Sequence, residues 1–260
     1  MVVASVVPLV DGVRQARAVV WAASRGAVQL LTVGLVLGAV FRAPLAVLPA
    51  LAVMVAAATA TVTPRLVELP VLGRWRRPAA AAVAVTSGAA VTGTVVFATG
   101  ALAFGVRNLV AVGGITVGGA MTASTLAGRR FLAELRNRRA EVEGKLALGA
   151  TMRQATADLV AVAVGEALVP ALDQTRTTGL VTLPGAFVGA LFGGASPLAA
   201  ARFQLVVLVG LLAAESVAAV VLLRFLAAVP FLPTGTAAAG PRPGPGPAWI
   251  RRLPPGRHRR

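Results

Sequence analysis

The chain has 260 residues, of which 57% are hydrophobic and 13% charged, and its formal net charge is +16. That charged share is about half the share in a soluble domain. The charges gather in blocks between long apolar runs, which excludes an ordinary globular protein and specifies a polytopic membrane protein. The positive charge lies next to apolar spans, where topology accounts for it and a nucleic-acid partner is not implied. There is no cysteine, so there is no disulfide, thiolate metal site or cysteine nucleophile.

Met1 to Val10 is apolar but has no basic stretch before it and no evident cleavage site, so it does not read as a signal peptide. A spanning helix needs about 20 apolar residues. Six segments satisfy this or come near it, at roughly 18–41, 43–61, 79–102, 108–127, 179–197 and 203–228. The first two are separated by little more than Arg42 and Pro44 and predict a tight hairpin. The fifth is Gly-rich and close to the lower length limit. With the N-terminus inside, 22 of the 25 basic residues fall on the cytoplasmic side, and Arg42, Arg107 and Arg202 fall outside. The expected protein is all-α, with about six transmembrane helices, a cytoplasmic helical loop and both termini cytoplasmic. The expected location is the cell's inner (plasma) membrane.

The loop at about 129–178 carries Glu134/Arg138 and Glu141/Lys145 as i,i+4 pairs in the favourable order, which predicts an exposed helix. The stretch LVAVAVGEALVPAL ends near Pro170. It is too short and too charged at its flanks to span, and reads as a surface-lying or docked helix. Residues 1–229 form the membrane domain. From 230 to 260 the chain is rich in Pro, Gly and Arg, without an acidic residue, and reads as a disordered cytoplasmic tail, solvated and reinforcing the topology, with weak attraction to anionic membrane lipid as the alternative. The lone histidine, His258, lies there among arginines and is read as solvated.

Several residues stand out inside the apolar segments. Arg25 and Gln29 share one face of the first span, as an interface anchor or as a contact facing the bundle. Gly185, Gly189 and Gly193 recur every four residues, as do Gly34/Gly38 and Gly114/Gly118. Small residues at this spacing let helix backbones approach closely in lipid. That is compatible with static packing or with a moving interface. GGITVGGAM (113–121) and PGAFVGALF (184–192) echo each other, by duplication or by chance. Pro184 is placed to break the start of the fifth span. Glu215 sits mid-span, where an acid should face protein or water, and Gln204 lies on its face three turns earlier. Two roles are open to Glu215, a transport or proton path and a protonated structural side chain. Pairing with Arg25 is conceivable. The sequence contains no HExxH, GxSxG or GxxxxGK[ST]. If ATP drives this chain, another chain hydrolyses it.

RGAVQLLTVGLVLGAVF (25–41), LALGATMRQA (146–155) and GLVTLPGAFVGALFGGASPLAAARFQL (179–205) resemble, in that order, the signatures of the FetB-like iron-export permeases of ABC transporters. That family includes plant aluminium-tolerance permeases. The resemblance covers roughly 17–229. It implies that Leu146, Gly149, Ala150 and Thr151 lie where the permease meets an ABC ATPase subunit. It implies that Leu183, Pro184, Gly185, Gly189, Pro197 and Gln204 form the membrane signature, with Arg25 and Gln29 as its N-terminal counterpart. It further implies export of iron or a related small solute by a homodimer of permeases, with ATP used by the partner and no cofactor in this chain. Family members usually carry two methionines after Leu-Pro-Gly, whereas this chain has Ala186 and Phe187, so a thioether path for a soft metal is not expected. The alternatives are a secondary transporter using Glu215 as a proton relay and a membrane scaffold that transports nothing.

Overall fold

Apolar runs of Ala, Val, Leu and Gly become helices in a bilayer because every backbone N–H and C=O must find its partner within the segment. The structure, a computed structural model, describes residues 16–66 and 75–228, with side chains from Val20 onward. The described residues form α1 (Ala16–Val40), α2 (Val47–Val62), α3 (Arg76–Ala98), α4 (Val106–Asn137), α5 (Arg139–Ala147), α6 (Met152–Ala155), α7 (Ala157–Thr177), α8 (Gly185–Phe192) and α9 (Pro197–Ala227). No strand occurs among them beyond one bridge between Thr178 and Thr182. The expected tail from 230 lies outside the described residues, as does Met1 to Val10.

Five helical stretches are long and apolar enough to cross a membrane. They are Val20–Val40, Pro44–Leu66, Arg76–Ala98, Val106–Asn137 and Pro197–Ala227. The fold is therefore the expected all-α polytopic membrane architecture. The α1–α2 hairpin also forms as expected, closed by a turn over Phe41–Ala43. Arg107, which opens α4, lies 5.8 Å from the Phe41 ring centroid and braces that turn.

The segment 179–197 differs from the expectation. Its helix is Gly185–Phe192, 8 residues long, or about 12 Å, too short to span. The cause is local. Pro184, extended at φ −66° and ψ 147°, starts α8. Gly194 at φ +88° ends it, with Ala195 N–H donating to Ala190 C=O and Gly194 N–H to Leu191 C=O. A left-handed residue that closes these bonds suits glycine. Ser196 then caps α9 by accepting from Ala199 N–H, and Pro197 takes the first helical position.

The return crossing is made instead by α7, which is longer than expected and runs through Pro170 to Thr177. Helices α4 and α9 are parallel. Gly119 faces Leu211 and Glu215 at one level, and Gly128 faces Leu222 at another. The chain must therefore come back between them. Leu159, Ala163 and Ala167 of α7 share a core with Leu222, Leu223 and Leu226 of α9. Thr178 and Gly179, just after α7, lie beside Gln204 and Leu208. Thus α7 lies antiparallel to most of the length of α9, and the 178–196 break completes the crossing.

Small residues hold the centre together, as expected where lipid gives helices no hydrophobic reason to associate. Gly88 of α3 meets the Ala214 carbonyl of α9. Thr92 Oγ1 donates to the Gly210 carbonyl at 3.3 Å. At the arginine-rich end, larger side chains take over. Phe131, Leu132, Leu135, Leu159, Leu222 and Leu223 are almost wholly buried in one cluster.

Candidate functional site

The stretch Leu146 to Thr151 forms a corner between two helices, and each residue in it has a local reason. Gly149 adopts φ +88°. Ala150 N–H donates to Lys145 C=O at 3.1 Å and Gly149 N–H to Leu146 C=O at 2.9 Å. These two bonds are the glycine stop of α5. The next helix starts at once. Thr151 caps α6 by accepting from Gln154 N–H, and the Gln154 side chain accepts from Thr151 N–H at 2.8 Å. This reciprocal capping box satisfies two orphan donors. Leu146 and Ala150 pack onto the core. Leu148 points the other way and is 90% exposed at the apex.

The corner is pinned to the bundle by charge. Lys145 donates to Asp158 at 2.9 Å and also pairs with Glu141 at 2.9 Å. The hydrogen bonds from Lys145 hold the Asp158 and Glu141 carboxyls below their ordinary values of 3.8 and 4.5, Arg138 adding to the effect at Glu141. The Asp158 and Glu141 contacts raise the Lys145 ammonium above 10.5. For depressed carboxyls the stabilisation is full above the ordinary value and is lost as pH falls through the folded one. For a raised lysine it is full below the ordinary value and is lost as pH rises through the folded one. The pin is therefore intact across the neutral range. The Glu141/Lys145 pair forms as expected. Arg138 instead bonds Glu141, at 2.7 Å, while its backbone N–H closes the last turn of α4 on the Glu134 carbonyl.

The second feature is the break between α7 and α9. Gln204 is 5% exposed. Its Oε1 accepts from Phe187 N–H at 3.1 Å, so α9 supplies a partner to the first turn of α8. First-turn N–H groups have no partner within their own helix. Pro184 and Phe187 line a cavity of about 190 Å³ with Gln204, Thr178 and Gly179. Gly185 and Gly189 have nothing within 4 Å of where a Cβ would stand. Neither is packed against another helix, so close helix packing is not their use in this conformation.

The other residues singled out from sequence are spread apart. Glu215 is 7% exposed, beside Gly119, and no hydrogen bond or ion pair reaches its carboxyl among the described residues. It shares the buried side of α9 with Gln204, as expected. Arg25 and Gln29 lie on the exposed surface of α1, which joins the bundle through Leu37 and Val40. The conceivable Arg25–Glu215 pair is not formed. Gly34, Gly38 and Gly118 have open space around them, whereas Gly114 meets Met54. Sequence reasoning passed over three features. One is Leu148. Another is the Arg130–Glu166 ion pair, which lines a cavity of about 340 Å³ between α4 and α7. The third is the polar end of α7. Neither of the last two is visible without knowing that α7 lies against α4 and α9.

A broken crossing inside a bundle of long apolar helices, with an ordered corner at its arginine-rich end, defines an integral membrane protein of the permease type. The chain belongs to the uncharacterised protein family UPF0014, whose model matches residues 1–231. It is 37% identical over 202 residues to the UPF0014 membrane protein STAR2 of Oryza sativa subsp. japonica, covering 77% of this chain and 69% of that one. It is 30% identical over 211 residues to the probable iron export permease protein FetB of Escherichia coli, covering 78% and 77%. It is 32% identical over 203 residues to the protein ALUMINUM SENSITIVE 3 of Arabidopsis thaliana, covering 77% and 72%. No solved structure matches it.

Proposed function

We propose that the chain is the permease subunit of an ABC-type transporter that exports a metal or a related small solute, driven by a separate ATPase subunit. The observation that carries this reading is the 146–151 corner. It is rigid by backbone hydrogen bonding, tied to α7 by Lys145–Asp158, and tipped by an exposed leucine. A soluble partner that grips Leu148 would move α7, and α7 leads directly into the 178–196 break. In this reading the arginine-rich end is cytoplasmic and two permeases act together in the inner membrane. Iron is the first cargo to test, since FetB is named for iron export.

The test is co-purification with a phosphate-loop ATPase from membranes. Leu148→Asp is expected to reduce the recovered ATPase at least tenfold without lowering permease yield. Gly149→Trp is expected to uncouple ATP hydrolysis from transport, since a side chain at φ +88° forces the corner open. Full transport by the chain without any ATPase would sink the reading. The buried, unpartnered Glu215 supports one second reading, a proton-coupled carrier. In the ABC reading Glu215→Gln keeps transport and a protonophore leaves it intact, whereas abolition by both would favour the carrier.

A further inference from the structure

The cavity of about 340 Å³ between α4 and α7 is lined by Leu126, Arg129, Arg130 and Ala133 on one side and by Glu166 and Ala167 on the other. Its charged groups are not all spent on each other. Arg130 and Glu166 close across the groove. Arg129 has no ion-pair or hydrogen-bond partner among the described residues. The Glu166 side chain is still 42% exposed after pairing, so a second donor can reach its carboxylate. Glu134, one turn beyond Arg130 on α4, adds its charge. The recess thus offers one free guanidinium and one half-open carboxylate, and its two bases and two acids balance.

Depth narrows what can fill it. Gly128 of α4 meets Leu66, at the end of the second crossing, and Leu222 of α9. Arg65, Arg129, Arg130 and Arg224 lie within two residues of these contacts. All four therefore stand at one level, where the crossings reach the polar edge of the bilayer. One turn deeper the walls of the groove are apolar, with Leu126 on α4 and Val169 on α7, the latter 47% exposed. A charged recess at headgroup level, opening onto an apolar furrow, has the shape of a phospholipid. Basic recesses between spanning helices are known places for lipid headgroups. A water-soluble phosphate compound has nothing to lay along Leu126 and Val169.

We propose that this recess binds the headgroup of an ethanolamine phospholipid, its phosphate on Arg129 and its ammonium on Glu166. A phosphodiester carries one negative charge, which matches the single unpaired guanidinium, and the planar fork of N–H donors on an arginine suits phosphate oxygens. The ammonium brings one positive charge and three N–H donors to the carboxylate that Arg130 leaves half open. A zwitterion entering a balanced recess leaves no net charge behind. A choline headgroup carries the same charges but has no N–H to donate, and a glycerol headgroup has no cation. The lipid would clasp α4 to α7 at the Arg130–Glu166 tie. This site stands on the membrane architecture and is independent of the ATPase and of the cargo.

The chain has no cysteine, so a thiol at Ala133 reports on this recess. The rate at which Ala133→Cys reacts with a methanethiosulfonate reagent is measured in lipid discs, relative to that of Leu148→Cys at the exposed corner. Phosphatidylethanolamine added to phosphatidylcholine discs should lower this ratio at least fivefold, and phosphatidylglycerol added instead should not. Arg129→Gln should abolish the protection and Arg129→Lys should keep part of it. Arg224→Gln, the same loss of charge at the same level, should leave it whole. Arg129 is exposed and unpaired, so its variants should be recovered normally. Equal ratios in discs with and without phosphatidylethanolamine would overturn the proposal, and so would protection that survives Arg129→Gln. Equal protection by phosphatidylglycerol would also overturn it, by showing a site for negative charge alone. Protection by soluble phosphoethanolamine in phosphatidylcholine discs would do the same, by placing the ligand in water rather than in the bilayer.

Discussion

Gly88→Ala is expected to be among the most damaging single-methyl substitutions in this bundle. A Cβ there would stand 2.4 Å from the Ala214 carbonyl oxygen and 3.2 Å from the Ala218 Cβ. The nearest atom is backbone, so no rotamer change relieves the clash, and α3 must move off α9. That separation also stretches the hydrogen bond from Thr92 to Gly210. The cost belongs at the upper end of the ~1–3 kcal/mol typical of overpacking. Gly118→Ala is the matched control, because nothing lies within 4 Å of its Cβ position. In a helix that exchange gains about 1 kcal/mol of propensity. The two alanines are therefore expected to act with opposite sign on the melting temperature of the detergent-purified protein. Equal stability of Gly88→Ala and the parent chain would refute the close α3–α9 crossing.

The contrast between those glycines marks what sequence could and could not convey. Spacing at four-residue intervals identified Gly114/Gly118 and Gly185/Gly189. Of these only Gly114 meets a neighbour, Met54, and the closest contacts fall on Gly88, Gly113, Gly119 and Gly128, whose neighbours are distant in the chain. Apolar length correctly located five crossings, because lipid demands about 20 such residues wherever a helix spans. It failed at 179–197 for a physical reason that the letters contained. Pro184, Gly194 and the Ser196–Pro197 pair are stop and start signals, and an average over apolar residues is blind to punctuation. The error at α7 is its mirror image. Pro170, Asp173 and Arg176 made a crossing helix read as a surface one, because charge was weighed without knowing which face carried it. The corner at 146–151 was recognised by resemblance. Its stop-and-cap chemistry explains why those residues follow one another, and Leu148, the residue best placed to meet a partner, lay unremarked in the middle.

Gln204 ties these threads together, and its replacement by leucine is the second large effect expected. Leucine keeps the volume and removes the acceptor. Phe187 N–H then has no partner where its surroundings are apolar, and an unsatisfied buried donor costs about 1–3 kcal/mol. That strain falls on one 8-residue helix. The α3–α4–α9 core does not depend on it, so the variant should be inserted and recovered normally. Helix α8 should lose its fixed position against α9. If the 178–196 break is the moving part, transport should fall at least tenfold while ATPase binding at the 146–151 corner persists. Gln204→Glu retains an oxygen at the same reach and should recover part of the activity, which a purely steric role for the side chain would not allow. A cysteine at Gly189 gives an independent readout. Its reactivity toward a thiol reagent should rise in the Gln204→Leu background and return toward the parent value with Gln204→Glu. Full transport by Gln204→Leu would separate the break from the path and leave Gln204 as a packing residue.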